Sequence, residues 1–158
     1  MTTTLTSDGM QLRRATERDL DAIVVLQKSA YARNRTLLGV EPLPLMADYT
    51  EVLATKEVWC HDVEGNLAGV LILEPEPDHL LIWSIATDPA QQARGLGNRL
   101  LSAADVRARE LGVRVIRLYT GTVLTHLTSW YGRHGYETDS IEQMPDRSLT
   151  NMIKRLEA

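Results

Sequence analysis

The sequence predicts one α/β (α+β) domain, a mixed and mostly antiparallel seven-stranded sheet with helices on both faces. Two observations predict it. Hydrophobic periodicity switches between the strand period of two and the helix period of 3.6, in the order β-α-α-β-β-β-α-β-α-β-β. The totals suit a single core: 158 residues, of which 44% are hydrophobic and 24% charged.

Residues 1–9 (MTTTLTSDG) read as a flexible tail ahead of a domain spanning 10–158. They lack the basic start and apolar centre of a signal peptide. Residues 10–16 alternate and predict the first strand. Thr16 and Asp19 then form a T-x-x-D helix-start signal. Leu20, Ile23, Val24, Gln27 and Tyr31 follow at helical spacing, predicting a helix over 17–32. Residues 33–45 (RNRTLLGVEPLPL) hold two prolines and a glycine and read as a loop, and 46–54 as a short helix.

Three strand-like runs come next, 56–63, 67–76 and 79–87. Glu64-Gly65-Asn66 supplies a hairpin turn between the first two, and Pro75, Pro77 and Asp78 separate the second from the third. Residues 95–111 return to helical period, with Leu100, Ala104, Ala108 and Leu111 on one face and Gly112 at the end. A strand over 113–120, a helix over 124–134 stopped by Gly135, and strands over 135–141 and 148–156 complete the chain.

Several function classes lose support on composition. The net charge is −4 and the basic residues are scattered, which argues against a nucleic-acid or membrane-surface binder. No apolar segment approaches membrane-spanning length. The single cysteine, Cys60, leaves no intrachain disulfide or cysteine metal cluster, and its apolar setting reads as a buried thiol. A reduced, cytoplasmic location and a metal-free site are the resulting expectations.

The chemistry concentrates in Gln91–Leu101, QQARGLGNRLL. Gly95 and Gly97 stand at the start of a helix, where backbone N–H groups are unsatisfied and the helix dipole is positive. Glycines there let an anion approach the amides, and Arg94 and Arg99 could add charge-assisted bonds. The segment lacks the lysine of a nucleotide P-loop and the third glycine of a dinucleotide fingerprint. Tight helix packing explains the two glycines equally well.

The wider context resembles the GNAT superfamily of N-acetyltransferases. Ile85-Ala86-Thr87, Asp88-Pro89 and then Gln92-Ala93-Arg94-Gly95-Leu96-Gly97 follow that family's strand, turn and [QR]-x-x-G-x-[GA] pattern. Tyr131-Gly132-Arg133-His134-Gly135-Tyr136 follows its Y-x-x-x-G-[FY] signature. The element order over 10–156 agrees. The resemblance implies acetyl-CoA as cosubstrate, with its pyrophosphate on the amides of Gln92, Ala93, Arg94, Gly95, Leu96 and Gly97 and near Asn98. It implies a pantetheine arm along the backbone of Ile85, Ala86 and Thr87, and a slot where the fourth and fifth expected strands splay.

In that slot a neutral amine attacks the thioester. A backbone N–H near Ala86 stabilises the oxyanion, and Tyr131 protonates the departing thiolate. The glutamate many relatives carry on the fourth strand would fall at Trp83 or Ser84, so the base stays open among Glu74, His79, His126 and water. Leu124 stands where many relatives place an asparagine. Trp83 reads as core packing, with a place in the acceptor slot as the alternative. The loop over 33–45, with Tyr31 and Tyr49 beside it, falls in the acceptor region, and the acidic balance favours a cationic amine. The implied activity is acetylation of a small-molecule primary amine. Acetylation of a protein N-terminus or lysine, and an acyl-CoA-binding module without turnover, are the alternatives. A homodimer through the last strands is a further implication.

Overall fold

The computed structural model describes residues 4–157, apart from the side chains of Gln92 and Ala93. Two hairpins start the sheet, each turned by a pair of left-handed residues: Asp8 and Gly9 (φ 52° and 74°), and Glu64 and Gly65 (53° and 81°). Such pairs match the right-handed twist of the strands they join. The first links β1 (Thr4–Ser7) to β2 (Met10–Arg14), with Leu5 opposite Leu12. Residues 4–7 of the expected tail are therefore a strand, anchored because Leu5 alternates inward and is fully buried. Residues 1–3 lie outside the described residues. The second hairpin links β3 (Glu57–Val63) to β4 (Asn66–Pro75).

Between these hairpins run α1 (Leu20–Leu38) and α2 (Tyr49–Thr55). The Thr16–Asp19 signal acts as read. The Thr16 N–H donates to Asp19 Oδ2 at 2.8 Å, and a 3-10 turn over Glu17–Asp19 leads into α1. The Arg13 guanidinium, 2.9 Å from the same carboxylate, holds Asp19 below the usual carboxylate range. The helix continues six residues past the expected end at 32. Nothing from Ala32 to Leu38 breaks it, and left-handed Gly39 (φ 72°) stops it, donating to the Arg35 carbonyl. The remainder of the expected loop holds a second 3-10 turn, Leu43–Met46.

The chain goes on through β5 (Leu80–Thr87), α3 (Leu96–Glu110), β6 (Val115–Gly121), α4 (Thr125–Arg133), β7 (Glu137–Gln143) and β8 (Ser148–Arg155). The described residues form eight strands in the order β1-β2-β3-β4-β5-β6-β8-β7. That is one more than expected, the addition being β1. Every neighbouring pair is antiparallel except β5 and β6. On one face α1 and α2 pack Ile23, Leu26 and Val52 against Val58, Cys60, Val70 and Ile72. On the other, α3 and α4 cover Leu71, Leu73, Leu80, Ile82, Ile116 and Leu118. Cys60 is the buried thiol expected, and burial pushes its pKa up to about 12.

One seam in this sheet positions everything that follows. β5 and β6 pair only at Leu80–Ile116 and Leu81–Arg117, and beyond that point they diverge. Trp83 is an extra residue in β5: Leu73 of β4 faces Ile82, and the next residue back, Ile72, faces Ser84. A bulge of this kind increases local twist and bends its strand away from a neighbour.

Candidate functional site

The divergence leaves a cleft of about 410 Å³. Its floor is the edge of β5 from Ile82 to Thr87 and the end of β6 from Leu118 to Gly121. Tyr31, Arg33 and Asn34 of α1 close one side, and Trp130 and Tyr131 of α4 the other. Among the described residues the β5 edge past Leu81 has no partner strand on this side. Ile85, Ala86 and Thr87 all line the cleft. Backbone groups on such an edge are open to an extended guest.

The two glycines do different work. Gly95 takes a left-handed conformation (φ 74°) that turns the 3-10 segment Pro89–Arg94 into α3, and a Cβ on it would meet nothing within 4 Å among the described residues. The space beside Gly95, which lines the cleft, is therefore open. Gly97 answers to packing: a Cβ there would lie 3.3 Å from Trp130 Cζ2. Trp130 is held in place by its Nε1–H, which donates to Asn98 Oδ1 at 2.7 Å, and the His134 ring reaches the same oxygen at 3.1 Å.

Of the residues expected to cradle a diphosphate, Gly95, Gly97 and Asn98 line the cleft. Arg94 is exposed and absent from its wall. Leu96 is buried against Leu100 and β4, so only its backbone faces the helix start. The backbone of Gln92 and Ala93 lies in the 3-10 segment, and their side chains fall outside the described residues.

Tyr131 lies where the cleft meets the core. It is 8% exposed, with its ring 4.9 Å from that of Trp130 and 5.7 Å from that of Tyr136. Burial raises its pKa above the ordinary phenol value, and the nearby Tyr31 adds to the rise. The group is a protonated phenol at neutral pH, able to donate.

The sequence profile described as the acetyltransferase (GNAT) family matches residues 23–136. This chain belongs to the GNAT acetyltransferase family. The uncharacterized N-acetyltransferase YvbK of Bacillus subtilis (strain 168) is 29% identical over 107 residues, 67% of each chain. Solved structures share the fold at lower identity. The ribosomal-protein-S18-alanine N-acetyltransferase of Escherichia coli aligns with a TM-score of 0.76 at 18% identity, over 93% of this chain and 94% of that one. A GNAT family acetyltransferase from Elizabethkingia anophelis with acetyl-CoA bound aligns with a TM-score of 0.70 at 17% identity, over 94% and 99% of the two chains.

In this GNAT acyltransferase the residues considered for the base are scattered. Glu74 sits on β4, ion-paired to Lys56 at 2.6 Å, and His79 is held by Asp78 at 2.7 Å in a turn. Neither lines the cleft. His126 does, and burial together with Arg33 lowers its pKa. Trp83, at the bulge, packs against the α1-side core as expected and also lines the cleft, with the Tyr49 ring edge-on at 6.2 Å and Lys56 Nζ 5.4 Å from its centre. Leu124, in place of the relatives' asparagine, is buried and lines the cleft wall.

Two features of the GNAT site escaped the sequence reading. Arg147, with its side chain 5% exposed, donates to the Glu41 carbonyl at 2.7 Å and to the Asp146 carboxylate. It straps the β7–β8 turn to the segment after α1, and nothing in the local sequence signals that. Gln27 is fully buried and bonded to Ser84, which also reaches Tyr31. A glutamine at a core-facing helix position was the available sign.

Proposed function

We propose that this enzyme moves the acetyl group of acetyl-CoA to the primary amine of a small molecule, by direct attack through a tetrahedral intermediate. The observation that carries the reading is the unpaired β5 edge in a cleft that Gly95, Gly97 and Asn98 at the start of α3 also line. The edge suits an extended pantetheine arm at Ile85, Ala86 and Thr87. The helix start suits a pyrophosphate on the backbone from Gln92 to Gly97 and near Asn98. The neutral amine attacks the carbonyl carbon, and the electron pair moves onto the oxygen. When the carbon–sulfur bond breaks, the Tyr131 phenol gives its proton to the thiolate. No Asp or Glu lines the cleft among the described residues, so the ammonium loses its proton to water or to His126 before attack.

Arg147 supports a small acceptor over a polypeptide. A peptide groove would run open between the residues after α1 and the β7–β8 hairpin. Instead the guanidinium joins them through Glu41, and Leu38 seats against Gly121. The test is mass spectrometry of a metabolite extract incubated with enzyme and isotopically labelled acetyl-CoA. A labelled small amine is expected. Label confined to polypeptides overturns the acceptor class, and calorimetry that detects no coenzyme A binding overturns the whole reading.

A further inference from the structure

We propose that Tyr31 is a further catalytic residue, whose phenol O–H donates a hydrogen bond to the thioester carbonyl oxygen of acetyl-CoA, with Ser84 and Gln27 as positioning residues. The proposal rests on acetyl-CoA lying along β5, as proposed above. It starts from a cost. Gln27 is 0% and Ser84 3% exposed, in the layer where α1 packs on the sheet among Ile23, Leu26, Val70 and Ile72. Buried polar groups in such a layer are tolerated when they satisfy one another, and a satisfied network fixes the orientation of its last member.

Here the last member faces the cleft. Gln27 Nε2 donates to Ser84 Oγ at 3.1 Å, and Ser84 Oγ lies 2.9 Å from the Tyr31 hydroxyl. Either hydroxyl can donate in the Ser84–Tyr31 pair; when Gln27 donates to Ser84, the serine proton is free to go to the Tyr31 oxygen. The alternative bond from Ser84 to Gln27 Oε1 is longer, at 3.3 Å. The backbone N–H of Ile85 faces the same phenol oxygen. In that arrangement the phenol O–H of Tyr31 is left for the cleft that it lines.

The position suits the reacting carbonyl. Ile85 belongs to the unpaired edge of β5. Tyr131 lines the opposite wall of the same cleft, and Tyr31 opposes its ionisation. Tyr31 therefore shares one cleft with the strand edge and the expected proton donor. Burial pushes its pKa up to about 12, which suits a donor and excludes a base at neutral pH. As the amine nitrogen attacks, the carbonyl electron pair moves onto oxygen and the phenol hydrogen bond strengthens. Tyr31 keeps its proton throughout, and sulfur receives its own from Tyr131.

The test uses acetyl-CoA labelled with 13C at the carbonyl, bound to saturation and read by NMR. The wild-type carbonyl resonance is expected downfield of free acetyl-CoA. Tyr31→Phe, which removes one oxygen and keeps the ring, should return most of that shift, with the calorimetric Kd for acetyl-CoA within about threefold of wild type. In turnover, kcat should fall about 10²-fold at unchanged KM for acetyl-CoA, the loss seen when an oxyanion donor is removed. Ser84→Ala should move the resonance part of the way. A saturated Tyr31→Phe enzyme with the wild-type resonance overturns this proposal alone. A wild-type protein that binds no acetyl-CoA overturns it together with the proposed function.

Discussion

Replacing Gly95 with alanine separates backbone conformation from packing at the start of α3. A Cβ there meets no described heavy atom within 4 Å, so the substitution carries no steric clash. What remains is the left-handed φ of 74°, which costs an L-residue about 1–2 kcal/mol. In a domain of this size 1 kcal/mol shifts Tm by roughly 2–4 °C, so Gly95→Ala should lose about 2–8 °C. Asparagine tolerates the left-handed region better than alanine, and Gly95→Asn should fall between the two. Thermal unfolding by far-ultraviolet circular dichroism, without ligand, measures all three. A Gly95→Ala protein as stable as wild type, or an asparagine variant no better than alanine, refutes the conformational argument. The same methyl group enters the open space beside Gly95, which lines the cleft. Coenzyme A affinity should therefore drop when measured by calorimetry well below the melting range. Unchanged affinity refutes the idea that the glycine leaves room for an anion.

Gly97→Val should cost about 1–3 kcal/mol as an overpacked contact, because its branches press on Trp130; tryptophan fluorescence should shift, and an unaltered spectrum and melting point speak against it. Arg147→Ala removes the bond to the Glu41 carbonyl and should cost about 1–3 kcal/mol, with faster hydrogen exchange over residues 40–46; exchange at the wild-type rate there counts against the strap. Tyr131→Phe should lower kcat by about 10²-fold or more, and turnover equal to wild type across pH removes it from the mechanism. Alkaline stability follows from the buried phenols. Burial raises Tyr31 to about 12 and pushes Tyr49, Tyr131 and Tyr136 up as well, against about 10 in the unfolded chain. A raised folded pKa means that the unfolded chain releases its protons first. The stability these groups contribute is full below about pH 10 and drains as the pH rises further. Tyrosinate absorbance and loss of circular dichroism should rise together, and tyrosinate formed well before unfolding contradicts the burial.

Elements with strong local chemistry were legible in the sequence. The T-x-x-D start of α1, the Glu64–Gly65 turn and the helical stripe of α3 all come from interactions within a few residues, and all three are present. β1 was legible too: Asp8-Gly9 between Leu5 and Leu12 carries a hairpin signal of the same kind. Its brevity and its place at the start of the chain made it resemble a tail. The end of α1 was set too early because Gly39 and the prolines at 42 and 44 made the whole of 33–45 read as a loop, whereas the helix runs up to Gly39 before it stops. In the candidate site, the glycine pair and Tyr131 stand out in the sequence because their spacing forms a motif. Gln27, Ser84 and Arg147 could not. Ser84 lies 57 positions from Gln27 and Arg147 lies 106 from Glu41, so their roles exist only once the sheet has brought distant segments together.

The seam between β5 and β6 has a consequence for how the molecule comes apart. Two residue pairs connect the ladder of the first five strands to the ladder of the last three. Separating the two blocks therefore breaks few main-chain bonds, and the resistance falls on helix contacts across the gap. Partial opening of this kind precedes global unfolding wherever local cohesion is low. A strand-like guest lodged in the gap would act as a splint, so the population of the opened form, read by native-state hydrogen exchange, should decline in step with occupancy.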